Sequence, residues 1–193
     1  MSHTDERQMV ALLQQADRDV QTRLYQESVR ELASVCRRFL PADEDVRDEL
    51  HDAYITIFTS VGGFEYRGKG TLAAWMRRVA VNQCITVLRR RKRQFVVPID
   101  ELDAAERARA EADSTPDFTE SDLTQVPADV LHALIASLPT GYRTVLNLFA
   151  IEGLSHKEIA AMLGISASTS ASQYSRAKRL LTTLILQYTQ QHQ

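Results

Sequence analysis

Residues 66–94 read YRGKGTLAAWMRRVAVNQCITVLRRRKRQ, a basic loop broken by glycine and followed by a helix-like segment that ends in five consecutive cations. From Arg67 to Arg93 the chain has nine Lys or Arg, no Asp or Glu, and its single tryptophan, Trp75, in the middle. Surface helices usually mix both signs of charge. This acid-free run therefore favours a surface that binds a polyanion.

The helix-like segment has two different faces at about 100° per residue. One face collects an aromatic ring, an amide and several cations within about 80° of arc: Trp75, Arg78, Asn82, Thr86, Arg89 and Arg93. The opposite face is apolar and can pack on a core: Met76, Ala80, Cys84 and Val87. An aromatic platform beside cations suits a nucleic acid with exposed bases. The alternative interpretation is a solvated charged face around a core tryptophan.

The rest of the chain divides into blocks of different charge, although the net charge is only −2. Residues 1–94 have 16 cations and 13 anions, and residues 129–193 have five cations and three anions. Between them, residues 95–128 have two cations and nine anions. Because this middle block is acidic and has few apolar residues to bury, residues 96–127 are expected to form a linker or a weakly ordered crossing.

Apolar residues at spacings of three and four predict helices in both outer blocks. In addition to the basic helix, we expect helices over residues 10–39, 46–61, 130–138 and 142–151. Each of these is followed closely by Pro or Gly. No strand pattern competes with them. The predicted fold class is therefore all-α, with two small helical domains and an acidic linker, at residues 1–95, 128–193 and 96–127 respectively.

A second motif follows in the last quarter of the sequence. Ser155 and Glu158 have the S-x-x-E spacing of a capping box, which begins a helix at Ser155. Ala160 permits a close helix contact, Gly164 permits the positive φ of a turn, and residues 166–188 continue as a second capped helix. This order matches a helix-turn-helix, whose second helix opens with short polar side chains that can reach base edges and phosphates. An ordinary helical hairpin is the alternative.

Composition disfavours several other classes of protein. Cys36 and Cys84 are too few and too isolated for a disulfide framework or a zinc site, and they indicate reduced thiols in the cytoplasm. The first ten residues lack the apolar segment of a signal peptide, and no run approaches the about 20 apolar residues of a membrane span. The carboxylates between residues 43 and 52 lack a nucleophile or metal-ligand spacing, so no catalytic residue, metal or cofactor is expected.

Three stretches together resemble the sigma-70 family, in its compact extracytoplasmic-function type with regions 2 and 4 only. The stretches are VRDELHDAYITIF (46–58), FEYRGKGTLAAWMRRVAVNQCITVLRRRKR (64–93), and LPTGYRTVLNLFAIEGLSHKEIAAMLGIS with TSASQYSRAKRLL (138–166 and 169–181). The resemblance implies a region 2 bundle, an acidic linker and a region 4 helix-turn-helix. It also implies an alternative-type sigma factor that binds core RNA polymerase and promoter DNA, without membrane insertion.

The resemblance assigns roles to particular residues. Docking on core polymerase through the β′ coiled coil would fall to Asp48, Leu50, His51, Asp52, Ile55 and Phe58. The loop that holds a flipped −10 base would contain Tyr66, Arg67, Gly68 and Lys69. Melted −10 DNA and the adjoining duplex would contact Trp75, Arg77, Arg78, Asn82, Arg89, Arg90 and Arg93. Recognition of the −35 element would fall to Lys157, Ser168, Thr169, Ser172, Gln173, Ser175, Arg176, Lys178 and Arg179. Implied partners are also the polymerase β flap and an anti-sigma factor.

Two positions depart from the family pattern. Ala171 stands where the family usually has Lys or Arg, and His51 where it usually has Gln. Loss of a phosphate-binding cation predicts weaker −35 binding with a smaller salt dependence. Two other functions remain open: a regulator that uses the helix-turn-helix alone, and a nucleic-acid enzyme. Trp75 and the cations around it distinguish a sigma factor from the first of these alternatives, because a protein that binds only duplex DNA does not need an aromatic platform for unpaired bases.

Overall fold

A computed structural model describes residues 3–91 and 126–192, and in that part of the chain all regular structure is helical. The predicted all-α class is therefore confirmed. The helices are α1 His3–Gln14, α2 Arg18–Phe39, α3 Asp43–Ser60, a 3-10 turn Val61–Gly63, α4 Thr71–Arg90, α5 Ala128–Ser137, α6 Thr140–Leu146, a π-helical turn Asn147–Ile151, α7 His156–Leu163 and α8 Ala167–Gln191.

Contacts between Cα atoms divide the chain into two compact units, Met1–Val87 and Leu88–Gln193. The domain boundaries at residues 95 and 128 stay predictions, because most of the expected linker, residues 96–125, lies outside the described residues.

The first unit begins with two helices where a single one, residues 10–39, was expected. That expectation is wrong: α1 ends at Gln14, and Ala16 has a left-handed φ of 59°. The carboxylate of Asp17 then accepts hydrogen bonds from the backbone N–H groups of Asp19 and Val20, both at 3.0 Å, and caps α2. A local cap thus begins a new helix although the apolar spacing continues through the break.

Helices α2, α3 and α4 bury one apolar side each, including Phe39, Ile57 and Met76. The thiols of Cys36 on α2 and Cys84 on α4 are fully buried and hydrogen-bonded to each other. This bond lowers the pKa of Cys36, whereas the same bond and then burial raise the pKa of Cys84. Because α2 and α4 meet through these two small side chains, the back of the basic helix is fixed on the bundle.

Helix α3 begins three residues earlier than the expected start at residue 46, and Asp43, Glu44 and Asp45 form its first turn. Its N-cap residue, Ala42, makes no side-chain capping bond. The three carboxylates compensate, because negative charge near a helix N-terminus stabilises the unpaired N–H groups there.

The second unit contains the helix-turn-helix that the sequence predicts. The Ser155–Glu158 capping box is present in both directions, and Gly164 ends α7 in the left-handed region at φ 70°, ψ 35°. Ser166 then caps α8 by accepting a hydrogen bond from the N–H of Thr169 at 2.9 Å. The local signals of the motif are therefore confirmed.

The segment before the motif differs from the expected continuous helix over 142–151, since α6 is followed by a π-helical turn. Arg143 on α6 is only 5% exposed. Its Nη1 donates hydrogen bonds to the carbonyl oxygens of Ala136 at 2.6 Å and Leu138 at 3.3 Å, which ties α6 to the end of α5. Burial lowers the pKa of this guanidinium.

Candidate nucleic-acid and polymerase surfaces

The exposed side of α4 has the composition that the sequence predicts. Arg78, Asn82, Thr86, Arg89 and Arg90 are all exposed. On the opposite side the expected core residues are buried, with Val87 half-buried. The predicted contact at Arg93 lies outside the described residues. The structure therefore brings an amide and several cations to one face of a single helix.

Trp75 is half-buried on the first turns of α4 and packs against the loop that precedes the helix. Its ring centroid lies 5.0 Å from that of Phe64, with an angle of 38° between the rings. Phe64 thus holds the indole from one side and links it to the loop of residues 64–70. The partly exposed indole surface that remains is available to stack on another ring.

The cations of this surface fall into two groups. Arg67 pairs with Glu65 at 3.0 Å, and Arg77 pairs with Glu31 of α2 at 2.6 Å. Within residues 3–91 and 126–192, no ion pair involves Lys69, Arg78, Arg89 or Arg90. The cations of the second group can therefore bind phosphates directly. Arg67 and Arg77 would first have to break an ion pair with a carboxylate.

Two residues of α1, which sequence analysis did not single out, contact the loop of residues 64–70. Glu6 is 6% exposed and accepts hydrogen bonds from the backbone N–H groups of Gly70 at 2.7 Å and Leu72 at 3.1 Å. The side-chain amide of Gln14 donates to the carbonyl oxygen of Phe64 at 2.9 Å. These contacts span more than 45 positions of sequence, so no local spacing could have revealed them.

Tyr66 lies half-buried in the same loop. Desolvation raises the pKa of its phenol, the negative charge of Glu6 raises it further, and Arg7 lowers it. Charges on α1 thus act on a residue that the resemblance assigns to the −10 base.

The predicted polymerase-docking residues lie mostly along one exposed stripe of α3. Asp48, His51 and Asp52 are exposed, Ile55 is 50% exposed, and Phe58 is half-buried. A half-exposed isoleucine beside two carboxylates is typical of an interaction surface rather than of a core.

Leu50 does not share this stripe. It is 9% exposed and belongs to the apolar core of the first unit. Because it lies two positions before Asp52, its side chain is directed about 200° away around the helix. The structure therefore assigns Leu50 to packing, which corrects its place among the docking residues.

An aromatic cluster adjoins the docking stripe. The ring of Tyr54 lies 4.7 Å from that of Tyr25 and 5.8 Å from that of Phe58. The hydroxyl groups of Tyr54 and Ser28 are hydrogen-bonded at 2.7 Å. Desolvation is the main reason that the pKa of Tyr54 is raised. The cluster fixes Phe58 at the edge of the stripe.

Helix α8 presents most of the predicted −35 residues at its surface. Ser168, Ser172, Ser175 and Lys178 are exposed, and Lys157 of α7 is exposed too. The half-buried members of the set are Thr169, Arg176 and Arg179. The hydroxyl of Ser166 is hydrogen-bonded to those of Ser168 and Thr169, which orders the first turn of the helix.

Gln173 is 5% exposed, which differs from its predicted role at the DNA surface. Its position coincides with the buried side of α8, which also includes Ser170 and Ala177. In this conformation the amide cannot reach a base edge, so the structure does not support a DNA contact from Gln173. With Ala171 two positions before it, the first turns of α8, residues 168–175, offer hydroxyls rather than cations.

A ring cluster holds the two helices of the motif together. The rings of Phe149 and His156 are stacked at 4.4 Å, and Phe149 lies 4.5 Å from Tyr174 on α8. His156 Nδ1 is hydrogen-bonded to the hydroxyl of Ser170 at 3.0 Å. Lys178 Nζ lies 5.8 Å from the centroid of the Tyr174 ring. The spacing between α7 and α8 is thus set by side chains.

Two family models match this chain. One, Sigma-70 region 2, matches residues 24–94, and the other, Sigma-70, region 4, matches residues 128–181. Together these stretches make up more than half of the chain and contain helices α3 and α4 and the helix-turn-helix. The chain belongs to the sigma-70 family.

Several proteins with similar sequences are named as RNA polymerase sigma factors. The RNA polymerase sigma factor CnrH of Cupriavidus metallidurans is 28% identical over 155 residues, 80% of each chain. The ECF RNA polymerase sigma factor SigE of Mycolicibacterium smegmatis is 33% identical over 137 residues, 71% of this chain and 50% of the relative. The ECF RNA polymerase sigma-E factor of Escherichia coli strain K12 is 27% identical over 179 residues, 90% of each chain.

A solved structure of CnrH in complex with the cytosolic domain of CnrY aligns with a TM-score of 0.47 and 22% identity, over 92% of this sigma factor and 95% of that chain.

The relatives place this protein among the sigma factors of extracytoplasmic-function type, which are transcription initiation factors. Its regions 2 and 4 are the parts that bind the −10 and −35 promoter elements. Throughout the described part of the chain, no helix is both long and apolar enough to cross a membrane.

Proposed function

We propose that this sigma factor docks on core RNA polymerase through the α3 stripe, melts −10 DNA with the exposed face of α4, and recognises the −35 element with α8. The observation that supports this most strongly is the α4 surface. The half-buried Trp75 lies on the same helix as Arg78, Asn82 and Arg89, and no acidic residue interrupts them. A protein that reads only duplex DNA does not need a partly exposed indole beside cations that form no ion pair.

Chemistry supports a separation of roles along α4. Base–aromatic stacking contributes about 1–3 kcal/mol per base, which suits Trp75 at the single-stranded part. Arg89 and Arg90, about 20 Å further along the helix axis at 1.5 Å per residue, suit phosphates of the upstream duplex. Of the loop and α4 residues assigned to DNA, Arg67 and Arg77 contribute only after leaving their carboxylates.

The α3 stripe is suited to a basic partner surface. Asp48 and Asp52 are exposed within 10 positions of the three carboxylates that begin the helix, and Ile55 supplies an apolar centre. An apolar anchor with a charged rim is the usual anatomy of a specific interface. This supports docking on the β′ coiled coil, with His51 inside the contact.

Recognition of the −35 element rests on fewer contacts than the resemblance implies. Hydroxyls of Ser168, Ser172 and Ser175 are available for bases or phosphates, and the cations of α8 lie further along, between residues 176 and 179. We infer that region 4 contributes less affinity here and that the β flap of polymerase supports its position on DNA. An anti-sigma partner also belongs to this proposal, as do action in the cytoplasm and the absence of catalysis by the sigma factor itself.

Run-off transcription tests the proposed function directly. The full-length protein, purified core polymerase and a library of genomic promoter fragments are expected to yield discrete transcripts that require all three components. Ile55→Glu should abolish core binding and transcription, whereas Glu27→Gln on the exposed part of α2 should change neither. A protein that binds promoter duplex but neither core polymerase nor melted DNA would instead be a helix-turn-helix regulator.

A further inference from the structure

The loop of residues 64–70 is held at both ends by α1. At its start, the side-chain amide of Gln14 donates to the carbonyl oxygens of Phe64 at 2.9 Å and Val61 at 3.3 Å. At its end, Glu6 uses one carboxylate oxygen for the N–H of Gly70 and the other for the N–H of Leu72. Two residues that lie eight positions apart on one helix therefore set the span of the loop.

Glu6 replaces a local cap at the start of α4. Gly68 and Gly70 have positive φ values of 136° and 85°, and they have no side chain that could accept a hydrogen bond. The hydroxyl of Thr71 donates to the carbonyl oxygen of Gly68 at 2.6 Å. The first N–H groups of a helix need acceptors, and a buried carboxylate needs donors. The Glu6 carboxylate therefore supplies acceptors for the N–H groups at the start of α4, and these groups supply the donors that the carboxylate needs.

The contact of Glu6 with the backbone also determines which groups are available to DNA at the N-terminus of α4. A helix N-terminus with free N–H groups attracts phosphate. Here Glu6 occupies the N–H groups of Gly70 and Leu72 and adds its negative charge to this end, so phosphates are left to the exposed side chains of Arg67 and Lys69. The two glycines would otherwise allow the loop many conformations, and a site that must order on binding loses affinity and selectivity.

We propose that Glu6, supported by Gln14, is a positioning residue that presets the loop of residues 64–70 for the flipped −10 base. Neither side chain touches DNA. Each acts through the loop backbone, so that Tyr66 and the cations beside it lie in place before the promoter is melted. This inference rests on the proposed function of region 2.

A purely structural role for Glu6 makes a different prediction. If Glu6 only stabilised the bundle, its loss would lower the folded fraction, and all affinities of region 2 would fall by the same factor. If it presets the loop, its loss changes selectivity at the base that the loop holds, while other −10 positions keep theirs. The ratio of affinities for correct and substituted bases separates the two roles.

The first experiment needs neither polymerase nor DNA. Amide hydrogen exchange is measured in the full-length protein for wild type, Glu6→Gln and Gln14→Ala, with Glu27→Gln as the matched charge control. Glu6→Gln is expected to speed exchange at Gly70 and Leu72 about tenfold or more relative to amides inside α2, since it removes a charged acceptor. Equal acceleration throughout the first unit would overturn the proposal.

The second experiment uses holoenzyme and fork templates with duplex upstream DNA and a single-stranded −10 strand, in which each base is varied in turn. Glu6→Gln is expected to lower discrimination about tenfold at one position, and Gln14→Ala about threefold at the same position, with core affinity unchanged. An unchanged ratio with a uniform loss of affinity would refute the positioning role. If wild type opens no template, the proposed function fails, while the exchange data still decide whether α1 sets the loop.

Discussion

Replacing Trp75 with alanine tests the central role that is proposed for α4. The indole is half-buried, with its ring centroid 5.0 Å from that of Phe64. The substitution removes a platform for a base and also the ring contact with the loop. Stacking of about 1–3 kcal/mol per base corresponds to a loss of about 5- to 150-fold in the open-complex equilibrium.

The loss of the ring pair has to be separated from the loss of stacking. An aromatic pair contributes about 0.5–1.5 kcal/mol beyond its buried area, so Trp75→Ala also loosens the packing against the loop. Trp75→Phe keeps a ring in contact with Phe64 and a smaller platform for DNA, and it should retain most of the activity. Phe64→Leu removes the ring pair alone and serves as the second control.

Open-complex formation is measured by permanganate reactivity of unpaired thymines, on duplex templates and on templates with a pre-melted −10 bubble. Trp75→Ala is expected to bind core polymerase like wild type, to fail on duplex templates and to recover largely on bubbles. If bubbles give no recovery, Trp75 is not a melting residue, and equal core-binding and melting defects would indicate a misfolded first unit.

Three further predictions follow from individual contacts. Glu31→Gln frees Arg77 from its 2.6 Å ion pair and should raise affinity for single-stranded −10 DNA about twofold, with a salt slope steeper by about 0.7; Glu27→Gln is the control, and an unchanged slope would remove Arg77 from the DNA contacts. Gly164→Ala should lower the unfolding free energy of the second unit by about 1–2 kcal/mol because φ is 70°, whereas Gly164→Asn should cost less, and equal urea midpoints for the two would contradict this reason. Both cysteine thiols are fully buried and should react with a thiol reagent only after unfolding, so reaction at the rate of a free thiol would show that this part of the core opens.

Local signals in the sequence predict most of the features that depend on neighbours along the chain. The capping box at Ser155 and the left-handed Gly164 are observed because their hydrogen bonds and dihedral angles involve residues three or four positions apart. The two faces of α4 are also observed, since the period of the helix determines which side chains share a side. The roles of these residues in promoter binding remain proposals.

Predictions that required a decision between two sides of a helix succeeded less well. Ile55 and Leu50 are both apolar residues of α3, but only Ile55 is exposed. Gln173 is a polar residue of α8 that is nevertheless buried. Residue type alone does not identify the side that packs, because the position of the neighbouring helices decides it.

The sequence by itself determined the all-α class, the basic face of α4 and the helix-turn-helix, because each depends on periodicity and capping within one turn or two. Only the tertiary structure decided that Arg77 is paired with Glu31 and that Glu6 caps α4. The hydrogen bond from Gly70 to Glu6 joins residues 64 positions apart. Such a contact forms only when the packing of whole helices brings a carboxylate to an uncapped helix end, and no local pattern in either segment encodes that meeting.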